Sequence, residues 1–263
     1  MPRFGTFGHA YLTLLSELYR WPQYTCKPRG LEIRENLSET FTIDRPSSEP
    51  LRTGLEKRDK ELASYLAKES KLFASKTNLA SDFAEASKFW LKIANPDGTV
   101  NSNYGRLIWH DKSCKNEKFS RYEMTPWDWA KTKLMEDPDT RQAVLSFLRP
   151  DHLWSGNKDV TCTVFGHFFI RPVVLYDRTA PGLHFHVHMR SQDIWLGMPY
   201  DLPWFMGLME QMVDELKSFV PGLVIGHYTH TADSLHLYSR DYDKAAEVLE
   251  ANGYKCHKFE HCY

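Results

Sequence analysis

One thiol, three arginines and a histidine–tyrosine pair have the types and spacing that could do chemistry. Cys162 stands in DVTCTVFGHFFI, an apolar run of strand character. Free cysteine packs as a small hydrophobe, so a buried structural thiol is the plain reading. It becomes a nucleophile where nearby positive charge holds it as thiolate. Arg190-Ser191 directly follows a strand-like segment, and a guanidinium fork beside a hydroxyl suits a phosphate. Arg29, in a Pro-Arg-Gly turn, and Arg141, after Asp137-Pro138-Asp139-Thr140, are similar candidates; each could equally be a solvated arginine. His236 and Tyr238 leave one face of SLHLYSRD, where two hydrogen-bonding tips could grip a sugar hydroxyl. His184, His186 and His188 alternate in HFHVH. That spacing could ligate zinc, but a polar sheet face or a subunit contact is the blander fit. The tail CHKFEHC, 256–262, also mixes ligand types, yet so short a segment rarely closes a tetrahedron. No metal site is expected.

These residues need a scaffold, and hydrophobic periodicity outlines one. Phe7, Tyr11, Leu14, Leu15 and Leu18 share a helical face, which predicts a helix over 8–20. Residues 26–45 read as extended, broken by Pro28-Arg29-Gly30. Leu62, Tyr65, Leu66 and Phe73 mark a helix over 56–73. Residues 74–105 are mixed, with a turn at Pro96-Asp97-Gly98, and Ala130–Met135 reads as helical. Residues 143–148, 160–170, 183–190 and 223–229 read as strands. Leu208, Met212 and Leu216 place a buried helix over 203–219, and a last helix covers 241–252 and stops at Gly253. Helices and strands intermix without repeat or long linker, so residues 1–263 read as one α+β domain.

Bulk properties narrow the function classes. The 263 residues carry a formal net charge of −1, with 42% hydrophobic and 25% charged residues. No global field pulls the chain toward nucleic acid or an anionic membrane, although a few local arginines suffice for a small anion. The sequence lacks an eighteen-residue apolar run and a signal-peptide pattern. Five cysteines form no regular framework, which fits free thiols in a reducing cytoplasm.

In order along the chain stand PRG at 28–30, KEL at 60–62, NYG at 103–105, DPDTR at 137–141, the cysteine segment 160–170, RSQDIWLGMPYD at 190–201 and HLYSRD at 236–241. Together they resemble the thymidylate synthase superfamily over most of the chain. NSNYG at 101–105, Met189-Arg190-Ser191, Cys162-Thr163 and SLHLYSR at 234–240 are closer still to one branch, the bacteriophage deoxycytidylate hydroxymethylases. The resemblance implies a thymidylate synthase-like fold: a large mixed β-sheet flanked by helices, and a homodimer packed through those sheets. It implies 5,10-methylenetetrahydrofolate as co-substrate, with no metal. It also implies roles. Cys162 is the expected nucleophile. Arg29, Arg190 and Ser191 bind the phosphate, with Arg141 donated from the partner subunit. His236 and Tyr238 hold the sugar. Glu61 moves protons through water, and Tyr104 helps remove the proton from C5. Trp90, Asp193, Leu196 and Gly197 take the folate side. The chemistry is consistent: a thiolate adding at C6 turns C5 of a pyrimidine into an enamine carbon that can attack a one-carbon electrophile. Departures from the thymidylate synthase pattern are Gln142 for a second arginine, Thr163 for a histidine, His167 for a glutamine, and a tail, HKFEHCY, without the valine-rich closing sequence.

Asp201 stands where the superfamily's uridylate enzymes carry asparagine. Uracil offers an N3–H donor beside an O4 acceptor, which an amide matches. Cytosine offers an N3 acceptor beside an N4 amino donor, which a protonated carboxyl matches. A carboxylate facing uracil leaves buried groups unpaired, at about 1–3 kcal/mol each. The sequence therefore points to a cytidylate substrate, with Asp201 as a helix N-cap the plainer alternative. The expected function is deoxycytidylate 5-hydroxymethyltransferase for modified phage DNA, inside a bacterial cytoplasm. The alternatives are a dCMP methyltransferase, or a dUMP or CMP hydroxymethylase, on the same scaffold. Neither a membrane nor nucleic acid is an expected partner.

Overall fold

Long alternating segments pair into one sheet, and amphipathic helices cover one of its faces. The structure, a computed structural model, describes residues 1–116 and 121–256. In chain order the elements are β1 (Arg3–Phe4), α1 (Phe7–Arg20), β2 (Tyr24–Cys26), β3 (Ile33–Ile43), α2 (Glu56–Ala74), α3 (Ala80–Phe83), α4 (Phe89–Ile93), α5 (Tyr104–Trp109), β4 (Cys114–Asn116), β5 (Arg121–Met124), α6 (Pro126–Glu136), β6 (Val144–Ser146), β7 (Thr163–Val174), β8 (Thr179–Met189), β9 (Gln192–Asp193), α7 (Met198–Leu216), β10 (Val224–Tyr238) and α8 (Tyr242–Ala251). The main sheet has eight strands in the order β1-β3-β10-β8-β7-β6, with β2 beside β3 and β9 beside β10. It is mixed: β10 runs parallel to β8 and antiparallel to β3. This is the α+β architecture expected from the sequence.

Period-two patterning separates the faces of the sheet. Leu183, Phe185, Val187 and Met189 of β8 are buried, and Phe185 stacks on Phe168 of β7 at 4.1 Å. The apolar stripe of α7, including Phe205, Met209 and Met212, lies in the same core. Fully burying such side chains contributes about 1.5–3 kcal/mol each. His184, His186 and His188 leave the opposite face, where they are half-buried or exposed. No group of three or more His, Cys, Asp or Glu able to hold a metal occurs among the described residues. His188 instead meets Asp233 at 2.8 Å, and His184 accepts the His227 amide at 3.1 Å. Of the tail 256–262, only Cys256 lies within the described residues.

Three of the boundaries that differ from the sequence expectation matter to the site. The strand expected over 160–170 begins at Thr163, so Cys162 sits on the bend at its head. Arg190 holds that bend by donating to the carbonyls of Val160 and Thr161, which removes both from strand pairing. The strand expected over 223–229 continues to Tyr238, because its register with β3 extends unbroken from Ser234 to Tyr238. The helix expected over 203–219 begins at Met198 with Gly197 as its N-cap. Pro199, near the helix start, has no N–H to satisfy, which suits the first turn. Asp201 therefore lies inside the first turn and is not the N-cap.

Candidate active site

A cavity of about 830 Å³ opens between β3, α4, the head of α5, the loop before Cys162 and the end of β10. Arg29, Trp90, Tyr104, Cys162, Arg190, Ser191, His236 and Tyr238, all singled out in the sequence, line it together. Long-range folding has gathered them from six separate stretches of chain. Local chemistry fixes each one. Arg29 occupies a left-handed conformation at φ 51°, followed by Gly30 at φ 79°. That turn is strained for a residue with a Cβ, and strain of this kind concentrates at functional sites. Tyr104 opens α5, whose N-cap Asn103 accepts the Arg106 amide at 2.9 Å and donates to Thr77 O at 2.6 Å. Gly105 follows because a Cβ there would lie 1.8 Å from the Phe73 carbonyl oxygen. Only a glycine lets α5 approach the end of α2 and set Tyr104 at the cavity wall.

The nucleophile candidate is electrostatically contested. Arg190 Nη2 lies 3.8 Å from Cys162 Sγ. Burial pushes the thiol up to about 11, and the charges of Asp201 and Asp159 push the same way. Arg190 and Arg29 pull it back. The chain alone thus holds a neutral thiol at pH 7, with two guanidinium groups in place to favour its ionisation. Burial likewise keeps the Tyr104 phenol protonated, reinforced by the charges of Asp201 and Cys162.

Asp201 stands outside the cavity lining, behind Cys162 and Tyr104 in the sense that its charge reaches both. Burial raises its carboxyl to about 7; the Gln192 amide, donating to Oδ2 at 2.8 Å, opposes the rise. A proton is thus available on this carboxyl near neutral pH.

Other expected residues lie apart from the cavity. Asp193 accepts the amides of Trp195 and Leu196 at 2.8 and 3.0 Å and so shapes the turn leading to Gly197. Leu196 is exposed on that turn. Glu61 is exposed on α2, where its charge bears on Tyr200 of α7. Glu61, Leu196 and Gly197 therefore gather at the α2–α7 junction. Tyr65 connects that junction to the cavity: its ring packs 4.3 Å from Tyr200, and its hydroxyl accepts Trp90 Nε1 at 3.3 Å. Arg141 is exposed on the loop between α6 and β6, beside His167 on the helix-free face, and does not reach its own chain's cavity.

Sequence reasoning missed four polar residues. Asp159 is buried and accepts the Asn101 and Ser102 amides at 2.5 and 2.8 Å, tying the Cys162 loop to the head of α5. Its position three residues before the cysteine was a usable signal. Glu69 is buried and accepts Tyr65 Oη at 2.8 Å; burial, aided by the Asp201 charge, raises it to about 8. An acid four residues after Tyr65 on a helical face was legible, but its burial was not. Glu35 and Ser234 line the cavity beside His236, brought there by cross-strand pairing.

Positive charge, a thiol, a phenol and a histidine–tyrosine pair in one cavity suit covalent chemistry on a phosphorylated small molecule. The thymidylate synthase family profile matches residues 29–260. The deoxycytidylate 5-hydroxymethyltransferase of Enterobacteria phage T6 is 28% identical over 185 residues, 68% of this chain and 68% of that one. Its counterpart from Enterobacteria phage T4 is 27% identical over 189 residues with the same coverage. The deoxyuridylate hydroxymethyltransferase of Bacillus phage SP01 is 33% identical over 155 residues, 57% of this chain but 36% of its own. Thermostable thymidylate synthase A from Bacillus subtilis superposes with a TM-score of 0.68 at 17% identity, over 97% of this chain and 86% of that one, a likeness of fold.

Proposed function

The chain belongs to the thymidylate synthase family, and from that premise we propose that it is a deoxycytidylate 5-hydroxymethyltransferase. It is a folate-dependent one-carbon transferase; the proposal concerns its base, its product and the role of each residue. The observation that carries the cytidylate reading is Asp201, whose buried carboxyl holds a proton up to about pH 7. A protonated carboxyl gives its hydrogen to N3 of cytosine and accepts from N4. The Gln192 amide, bound to Oδ2, orients it.

In this reading Arg29, Arg190 and Ser191 hold the phosphate, and His236 and Tyr238 hold the sugar. Phosphate binding places C6 of the base against Cys162. Forming the Sγ–C6 bond breaks the C5–C6 double bond and moves its electron pair toward C5. C5 then bonds to the one-carbon unit, after which Tyr104 takes part in removing the C5 proton. Glu61, exposed at the α2–α7 junction, moves protons through water. The apolar cavity wall of Phe89, Trp90 and Ile93 fits a flat heteroaromatic ring. Methylenetetrahydrofolate supplies the one-carbon unit when bound, with Trp90, Asp193, Leu196 and Gly197 on its side. Two chains pair through the helix-free sheet face, which brings Arg141 to the partner's phosphate. The described residues hold no helix long and apolar enough to cross a membrane.

The similarity to the Bacillus phage relative favours a second reading, a deoxyuridylate hydroxymethyltransferase. Mass spectrometry after incubation with methylenetetrahydrofolate and dCMP, CMP or dUMP separates the readings. A hydroxymethyl group gained on dCMP is expected. A methyl group on dCMP keeps the base and overturns the product. Product from CMP in preference to dCMP overturns the deoxyribose assignment, and product from dUMP alone overturns the role of Asp201.

A further inference from the structure

The sugar end of the cavity contains a hydrogen-bonded relay that starts on a different strand. Glu35 of β3 pairs in register with His236 of β10, so the two side chains are cross-strand neighbours. Ser234, two residues before His236, shares their face. All three line the cavity. Ser234 Oγ lies 2.5 Å from Glu35 Oε1 and 3.3 Å from His236 Nδ1. The Ser234 backbone carbonyl lies 3.3 Å from the same Nδ1.

Donor and acceptor accounting along this chain fixes the tautomer of the ring. An ionised carboxylate only accepts, so the single Ser234 hydroxyl hydrogen goes to Glu35. That leaves an Oγ lone pair toward His236 Nδ1. The Ser234 carbonyl also only accepts. Both partners therefore require the hydrogen on Nδ1. A neutral imidazole has one N–H, so Nε2 is left as a bare acceptor. Without such a relay, a histidine in water favours the opposite form, with Nε2 protonated. Asp193 is a second carboxylate near the ring; its Oδ1 accepts the amides of Trp195 and Leu196, and its Oδ2 lies 3.9 Å from Arg240.

We propose that Glu35 is a positioning residue for substrate: through Ser234 it holds His236 in the Nδ1–H form, so that Nε2 accepts the hydrogen of a sugar hydroxyl. Tyr238, whose ring stands edge-on to His236 at 5.3 Å, supplies the second contact to that hydroxyl. The site then recognises a 3′-hydroxyl by its hydrogen as well as its shape. The sugar part of the inference rests on the nucleotide reading above; the tautomer does not.

The test has one arm for each part. Long-range proton–nitrogen NMR of the full-length protein without nucleotide reads the ring directly. Wild type and E35Q, whose amide oxygen still accepts, are expected to show His236 with the proton on Nδ1. E35A, which frees the Ser234 hydroxyl to donate to Nδ1, is expected to move it toward Nε2, whereas S234A leaves Nδ1 facing only the accepting carbonyl and is expected to keep it. The second arm compares dCMP with 2′,3′-dideoxy-CMP. For E35A the KM for dCMP should rise about tenfold, the scale of one hydrogen bond, with kcat nearly unchanged and no rise for the dideoxy analogue. An unchanged tautomer in E35A overturns the relay. Equal losses for both nucleotides mean that Glu35 only shapes the wall, which overturns the recognition role. If the enzyme takes dUMP instead, the cytidylate reading fails, while the NMR arm and the dUMP against dideoxy-UMP comparison still decide this inference. If no pyrimidine nucleotide binds, the sugar role falls with it.

Discussion

At the residue scale, two groups hold protons against their ordinary behaviour, and both face the same chemistry. Burial raises the Cys162 thiol to about 11, while Arg190, 3.8 Å away, lowers it. Replacing Arg190 with glutamine keeps much of the side chain and removes the charge. Iodoacetamide labelling of Cys162 at pH 8 should then slow by about three- to tenfold, each unit of thiol pKa being a factor of about ten in thiolate. Unchanged labelling would mean that Arg190 does not favour the thiolate. Asp201 makes a pH prediction of definite sign. Its folded-state carboxyl titrates near 7, raised from 3.8 by burial. On the proposed cytidylate reading the protonated form is the one that pairs with cytosine, so kcat/KM for dCMP should fall as pH rises through about 7. D201N should lose about 100-fold or more on dCMP and gain activity on dUMP. Both roles could be argued from RSQDIWLGMPYD and the cysteine run, because residue type alone states what a side chain can donate or accept. Glu35 could not, because its importance comes from a strand neighbour distant in sequence.

At the element scale, two helices decide what the residues can do. The earlier start of α7 at Met198 puts Asp201 in its first turn, against Gln192, in place of a cap position. The sequence offered the cap as an alternative because Asp-Leu-Pro is good capping chemistry; the helix starts instead at Gly197, with Pro199 in its first turn. On α2, Glu69 is buried against Tyr65 and titrates near 8, raised from 4.5. A raised carboxyl binds its proton more tightly in the folded chain. Below pH 4.5 both states are protonated and nothing is lost; between 4.5 and about 8 the unfolded chain alone ionises, so stability declines as pH rises. E69Q removes that ionisation. At pH 7 it should be more stable than wild type by on the order of 2 kcal/mol, and the gain should vanish at pH 4. Urea unfolding at both pH values checks this. A gain that persists at pH 4 assigns the effect to packing.

At the scale of the whole molecule, the unresolved economy is the sheet face without helices. Phe165, Phe169 and His186 stand on it, only partly shielded, and Arg141 lies near its edge. Pairing of two such faces would bury them and carry Arg141 to the other subunit. F169D should then shift the light-scattering mass from dimer to monomer. Mixing R141A with C162A chains should restore activity that neither variant shows alone, since a mixed dimer contains one site with both groups intact. Failure to complement, with exchange of subunits demonstrated, removes Arg141 from the partner's site.

The sequence by itself determined the α+β class, most elements and the residues worth watching. Periodicity is local, and motif spacing survives in one dimension. Eight of the expected residues do meet in one cavity. Only the tertiary structure decided which carboxylates are buried and which are exposed. KEL made Glu61 conspicuous, yet it is exposed, while the unremarked Glu69 two turns later is buried. Burial depends on what packs against a helix face, and no spacing rule contains that. The same holds for Glu35, Ser234 and His236. Their relay exists because β3 and β10 pair in one register, and a shift of one residue would turn the side chains to opposite faces.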